Sequence, residues 1–306
     1  MQALYAYFKH DSDSSLKNSE KELSHSISKT FDLYHYLLLL IVDIRNYALS
    51  RQELAKQKKI PTPEDLNPNT RFVDNEVIQQ ISINEQLLKY LDNHKLSWVN
   101  HSNLIKGIYQ TLIESPDYKK YMGNEVSSFK EDKNMVVALC KNIFAGYEPL
   151  CQVLEEESIY WNDELEFIVG IVIKTLKKFK PEDGENAPLL PLYKNDEDKE
   201  FSVKLLRKVI LNYKEYLSII KKFSKNWEVE RIAFLDILLM EMAIAEAIEF
   251  PSIPIKVTLN EYLEIAKYYS TSKSNLFLNG ILDKAFTDLK EQKLIRKSGR
   301  GLIGED

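Results

Sequence analysis

A chain of 306 residues with 44% apolar content is long enough for one large or two ordinary domains and supplies a core of its own. Only 9 glycines and 10 prolines occur, which leaves little room for strands, phosphate-cradling loops or a dinucleotide fingerprint. The formal charge of -5 argues against a nucleic-acid binder taken over the whole molecule, but it is uneven: residues 201–306 hold 17 Lys and Arg against 14 Asp and Glu, an excess of +3, which leaves -8 for residues 1–200.

The chain opens on residues 1–8, apolar on most sides and without an N-cap, as if a helix were entered part-way. Residues 20–50 carry Leu23, Ile27, Phe31, Tyr34, Leu38, Ile41 and Ile44 at the three- and four-residue spacing of one long amphipathic helix. Its most apolar run, 37–42, is followed at once by Asp43 and Arg45 and falls far short of the roughly 20 residues of a membrane span, so it reads as a buried segment. Residues 56–72, with Pro61, Pro63 and Pro68, predict a loop, and helices follow at 74–92, 101–114 and 127–145. Another is predicted over 163–179, with Phe167, Ile168, Ile171, Val172 and Leu176 on its buried side.

Three prolines, a glycine and several acids in residues 180–191 predict a domain junction. Helices are then expected at 198–223, 227–249, 258–269 and 274–292, the second stopped by the prolines at 251 and 254. Thr258 with Glu261 three residues on reads as a capping box, Asn260 and Glu261 as cap and dipole partners at that helix start, and Ser272 or Ser274 as the cap of the last helix. The tail from Lys290 onward is polar and expected to fray.

Catalytic patterns are weak. Glu22-x-x-His25 and Asp32-x-x-His35 imitate half of a di-iron motif, but such a site needs the motif on two helices plus two more carboxylates, so both histidines are expected at a surface or interface. Glu155 to Glu157 reads as a solvated charge run, and Cys140 and Cys151 are too far apart for a zinc or thioredoxin-like pair. Nothing at the start resembles a secretory signal. The expectation is a cytoplasmic binding protein, with no enzyme activity, no metal and no cofactor.

The segment PIKVTLNEYLEIAKYYS over 254–270, followed by KSNLFLNGILDK over 273–284, resembles the C-terminal signature of the NusB family, VPxKVxINEAIELAK, a short loop, then SxxFVNGVLDK. Arg231, Asp236 and Glu246 fall on the Arg, acidic and Glu positions of the preceding family helix, and Gln2-Ala3-Leu4-Tyr5 is similar to the first-helix motif QALY. The resemblance covers residues 1–8 and roughly 198–290. It implies an all-α, NusB-like helical bundle completed by docking of the first helix beside the last, with a large N-terminal helical insertion of the kind associated with the Bacteroidetes. The implied domains are 1–10, first helix of the core; 11–190, inserted helical region; and 191–306, the RNA- and partner-binding domain.

What the resemblance implies for function is transcription antitermination: boxA-like single-stranded RNA bound together with ribosomal protein NusE, within an RNA polymerase antitermination complex on rRNA operons. The RNA-binding candidates are Gln2, Tyr5, Lys273, Asn275, Phe277 and Asn279, and the partner-binding candidate is Asp236. Aromatic rings suit unstacked bases, and Asn275 and Asn279 offer donors and acceptors. Phe277 also fits a core position, Lys273 a solvated surface, and Lys256 and Lys267 read as surface charges, with phosphate contact as the alternative. Gly280 fits either close packing on the first helix or close approach of an RNA backbone. Asp236 and Glu246, on a helix rich in Leu, Ile, Met and Ala, each need water or a partner.

The family carries an arginine-rich stretch ahead of QALY, whereas this sequence opens inside the motif; RNA affinity below the family norm is the expectation, since each phosphate contact adds counterion release. The alternative is a helical protein–protein scaffold with reduced RNA binding. Self-association into a homodimer and the role of the inserted region are left open.

Overall fold

The computed structural model describes residues 1–9, 15–124, 126–224, 232–271 and 274–304. Among them all regular structure is helical: α1 (Gln2–Lys9), α2 (Leu16–Lys56), α3 (Pro63–Leu66), α4 (Glu76–Ser82), α5 (Glu85–His94), α6 (Ser102–Glu114), α7 (Pro116–Gly123), α8 (Phe129–Asn142), α9 (Glu148–Glu157), α10 (Leu165–Lys178), α11 (Asp196–Phe223), α12 (Phe234–Glu249), α13 (Ile255–Tyr269) and α14 (Ser274–Glu291). Two compact units form, Met1–His25 with Tyr193–Asp306, and Ser26–Leu192. No helix among the described residues is long and apolar enough to cross a membrane.

In the unit Ser26–Leu192 the apolar run of α2 is buried, with Leu33, Leu37, Leu38, Leu40, Ile41 and Ile44 all shielded from solvent. A helix apolar on all sides is stable only when neighbours cover every side. Asn75, Asn84, Ser115 and Ser128 cap the helices that follow, each side-chain oxygen accepting a backbone N–H of the first turn. Asn84 is why the helix expected over 74–92 is two: its Oδ1 takes the Leu87 N–H and starts α5 afresh. Within the expected loop, Thr62 and Asp65 form a capping box that starts α3 on Pro63.

Phe167 and His35 depart from expectation. Phe167 is 63% exposed; Leu165, Ile168, Val169, Val172 and Leu176 form the buried stripe of α10, and Phe167 lies out of phase with it. His35 is buried, stacked 3.6 Å from Tyr90, with its Nδ1 donating to Phe31 O. Burial lowers its pKa from 6.5 to about 4, so the ring is neutral, whereas His25 is exposed as expected.

In the other unit α12 is the central helix, buried continuously from Leu238 to Ala247 and packed on by α1, α11, α13 and α14. Leu4 anchors α1 to this core. α1 makes its main contacts with α11 and α12, while α14 packs on α13, α12 and α11. The first and last helices are therefore joined through α11 and α12 instead of lying side by side.

α13 begins at Ile255, three residues earlier than expected, with Pro254 as its N-cap. Thr258 thus sits inside the helix and is not a cap: its hydroxyl donates to Glu246 Oε1 at 2.8 Å, and Tyr262 donates to Oε2 at 2.9 Å. Asn260 and Glu261 are exposed in the second turn, away from the helix start. Burial raises the Glu246 pKa and these two hydroxyls pull it down. Glu241, 4% exposed on the same helix, has no hydrogen-bond partner among the described residues, and burial raises its pKa from 4.5 to about 7.

The tail is not frayed throughout. Ile295 enters the core, Ser298 N donates to Pro251 O at 3.0 Å, and a 3-10 turn follows at Gly299–Leu302. A Cβ on buried Gly301 would lie 1.9 Å from Pro251 O, a backbone atom unable to swing aside. Gly301→Ala is expected to destabilise the unit by about 1–3 kcal/mol, the usual cost of overpacking; equal urea midpoints for variant and wild type would refute the contact.

Candidate functional site

The first turn of α12 is where the elements carrying the candidate residues meet. Asp236, 4% exposed, accepts from Ser270 Oγ at 2.5 Å and from Ser274 Oγ at 2.8 Å. Thr271 Oγ1 lies 2.9 Å from Ser274 Oγ. One buried carboxylate thus ties the end of α13 to the start of α14, and charge-assisted hydrogen bonds of this kind are the strong ones. Asn275 adds a second tie, its Nδ2 donating to Leu263 O at 3.0 Å. Expected at a partner face, Asp236 has both oxygens engaged by hydroxyls of its own unit.

Two residues earlier, Phe234 faces α1. The Tyr5 ring meets it edge-on at 5.6 Å, and Lys9 Nζ stands 4.4 Å from its centroid. Tyr5 is 42% exposed and Gln2 is exposed beside it on α1. The same helix turn therefore holds α1 through Phe234 and α14 through Asp236.

α14 shows solvent a stripe of Leu276, Asn279, Gly280, Asp283 and Lys284, while Leu278, Ile281, Leu282, Ala285 and Phe286 face the core. Phe277 is half-buried against that core, and Asn275 is half-buried. Lys273, like Ser272 and Arg231, lies outside the described residues. Ser274 is the first residue of α14 and gives its hydroxyl to Asp236.

Gly280 decides between close packing and an open backbone. It is exposed, and a Cβ built on it meets nothing within 4 Å, so it does not serve close packing inside the molecule. Glycine in a helix interior costs about 1 kcal/mol relative to alanine. Among the described residues no packing contact at Gly280 offsets that cost.

Residues not singled out from sequence also line this end. Tyr268 is 79% exposed, Tyr269 37% and Leu276 79%. Their signal was available: Tyr268 is out of phase with Ile255, Thr258, Tyr262 and Ala266, the buried stripe of α13, and a large ring off-stripe is a surface ring. Among the described residues no group of His, Cys, Asp and Glu is arranged to hold a metal. The arrangement of exposed rings, amides and a bare glycine is suited to binding.

Comparison with known proteins bears on this arrangement. The model of the NusB family matches residues 171–286, starting earlier than the signature region near 198, and a large helical region precedes it. The transcription antitermination protein NusB of Salinibacter ruber is 39% identical over 141 residues, 44% of this chain and 88% of that protein. That of Chloroherpeton thalassium is 45% identical over 105 residues, 34% of this chain and 50% of the relative. That of Acetivibrio thermocellus is 36% identical over 109 residues, 36% and 75% respectively. No solved structure matches the chain at a comparable level. An identity of 39% sustained across 88% of a NusB protein, together with the family match over residues 171–286, makes this chain a member of the NusB family.

Proposed function

We propose that this chain is a transcription antitermination factor whose exposed end around Tyr5 and α14 binds boxA-like single-stranded RNA together with ribosomal protein NusE, as part of an RNA polymerase antitermination complex on rRNA operons. Its work is binding, with no chemical step. The observation that carries the reading is Gly280: a glycine kept mid-helix on an open surface, beside exposed Asn279, without an internal use. A bare backbone on a helix surface is what a nucleic-acid backbone needs for close approach. Family membership and the half-exposed Tyr5 ring support it. In this reading Gln2, Tyr5, Lys273, Asn275, Phe277 and Asn279 contact RNA, and Asp236 acts from within, holding the α13–α14 turn in place for both RNA and NusE.

Gly280→Ala makes a two-sided test. Stability is expected to rise by about 0.5–1 kcal/mol, while affinity for a boxA-like RNA drops about tenfold, equivalent to about 1.4 kcal/mol. The titration is run with and without NusE at two salt concentrations, because phosphate contacts weaken steeply with salt. Stabilisation with undiminished RNA affinity removes the argument from Gly280, and absence of wild-type binding even at low salt with NusE present favours a protein scaffold.

A further inference from the structure

Tyr5 begins a row of rings that continues along α1 to α11. Its ring meets Phe234 at 5.6 Å, Phe234 meets Phe8 at 6.5 Å, and Phe8 meets Tyr213 of α11 at 5.5 Å. Tyr213 is in phase with Val209, Ile210, Tyr216 and Ile220, the buried stripe of α11, yet it is 37% exposed, so the core stripe surfaces here. The row therefore has an open ring at each end.

Lysines accompany the rings. Lys9 Nζ lies 4.4 Å from the Phe234 centroid and 5.9 Å from that of Tyr5, and Lys214 Nζ lies 5.8 Å from that of Tyr213. On α11 itself Arg207, Lys208 and Lys222 are held by Glu20, Glu249 and Asp288, while Lys204, like Lys9 and Lys214, stands over a ring, that of Phe250, without an acid among the described residues. Lys9 and Lys214 enter no ion pair among the described residues, and Glu215, next in sequence, pairs with neither. Protein–protein interface cores are depleted in lysine. Rings interleaved with unpaired cations are instead the combination that holds a single strand, bases on the ring faces and phosphates on the cations.

We infer that this row is a second contact for single-stranded RNA, extending the Tyr5 site across α1 and α11 so that a longer strand is held at Tyr5 and at Tyr213 together. The inference rests on the RNA-binding reading above and adds to it the path of the strand. Nothing in the boxA-like site itself requires Tyr213 or Lys214.

The test uses the full chain and two labelled single-stranded RNAs, a boxA-like oligonucleotide and the same sequence lengthened by several nucleotides at each end. Wild type is expected to bind the longer RNA about tenfold more tightly, the gain of one added base stack. Tyr213→Ala and Lys214→Glu each lose that gain and keep wild-type affinity for the short RNA. Lys214→Glu also flattens the salt dependence of the long RNA by about one phosphate contact; being a surface change, it separates lost contact from lost folding. A wild type that gains nothing from the extra nucleotides, or variants that keep the gain, overturns the inference. If Tyr5→Ala weakens both RNAs while the two α11 variants change neither, the row is excluded and the boxA-like site stands. If wild type binds neither RNA even at low salt with NusE present, both readings fall.

Discussion

Replacing Glu241 by Gln is expected to stabilise the chain by about 3 kcal/mol at pH 8 and to leave it nearly unchanged at pH 4. Glu241 is 4% exposed and unpartnered among the described residues, and burial lifts its pKa from 4.5 to about 7. Between those two values the unfolded chain has released the proton and the folded chain retains it, so stability falls as pH rises through this window. Below it both states are protonated, and above it both are ionised, with the whole difference expressed. A gap of about 2.5 pKa units corresponds to about 3 kcal/mol. Urea titrations of both proteins at pH 4, 6 and 8 give the check: the two stability curves must diverge with pH, and parallel curves would show that water or a rearranged neighbour already solvates the carboxylate. Gln keeps the shape of Glu, so any divergence reports charge and not a cavity.

Asp236→Ala is expected to cost about 2 kcal/mol, the loss of hydrogen bonds to a charged group, and to loosen the turn between α13 and α14. The carboxylate is the shared acceptor of the Ser270 and Ser274 hydroxyls, and removing it takes away their charged acceptor and leaves buried Ser274 only the neutral hydroxyls of Ser270 and Thr271, each 2.9 Å away. Hydrogen bonds to a charged group contribute about 1.5–3 kcal/mol, more than the neutral hydroxyl contacts that would remain. Asp236→Asn retains one acceptor oxygen and should lose roughly half as much. Hydrogen exchange on the first turns of α14 provides the local readout, with faster exchange there in the alanine variant than in the asparagine one. An alanine variant of wild-type stability, with α14 equally protected, would show that this carboxylate ties nothing together. In the functional reading the same variant weakens RNA and NusE binding together, because one turn positions both.

Helical periodicity is written in neighbouring residues, and for that reason much of the fold is legible in the sequence. The stripe of Leu38, Ile41 and Ile44 in α2 is readable there, and so are the approximate spans of α6, α11 and α14. The family signature over 254–284 is likewise a local string, and the missing side chain of Gly280 is visible in it. Spacing alone does not tell which of two adjacent apolar residues turns inward, so it assigns Phe167 to a core that the side chain does not enter.

Sequence by itself determined that this chain is helical, where most of its core stripes run, and which family its last hundred residues resemble, because those properties depend on residues three and four apart. Tertiary structure alone decided the partners. Asp236 finds Ser274 across 38 positions and Glu246 finds Thr258 across 12, pairings set by how helices cross. The same crossing carries α1 onto α11 and α12, buries Gly301 under Pro251 and leaves Gly280 bare. A buried polar group must meet a partner or shift its ionisation, and no local pattern says which neighbour the fold will bring to it.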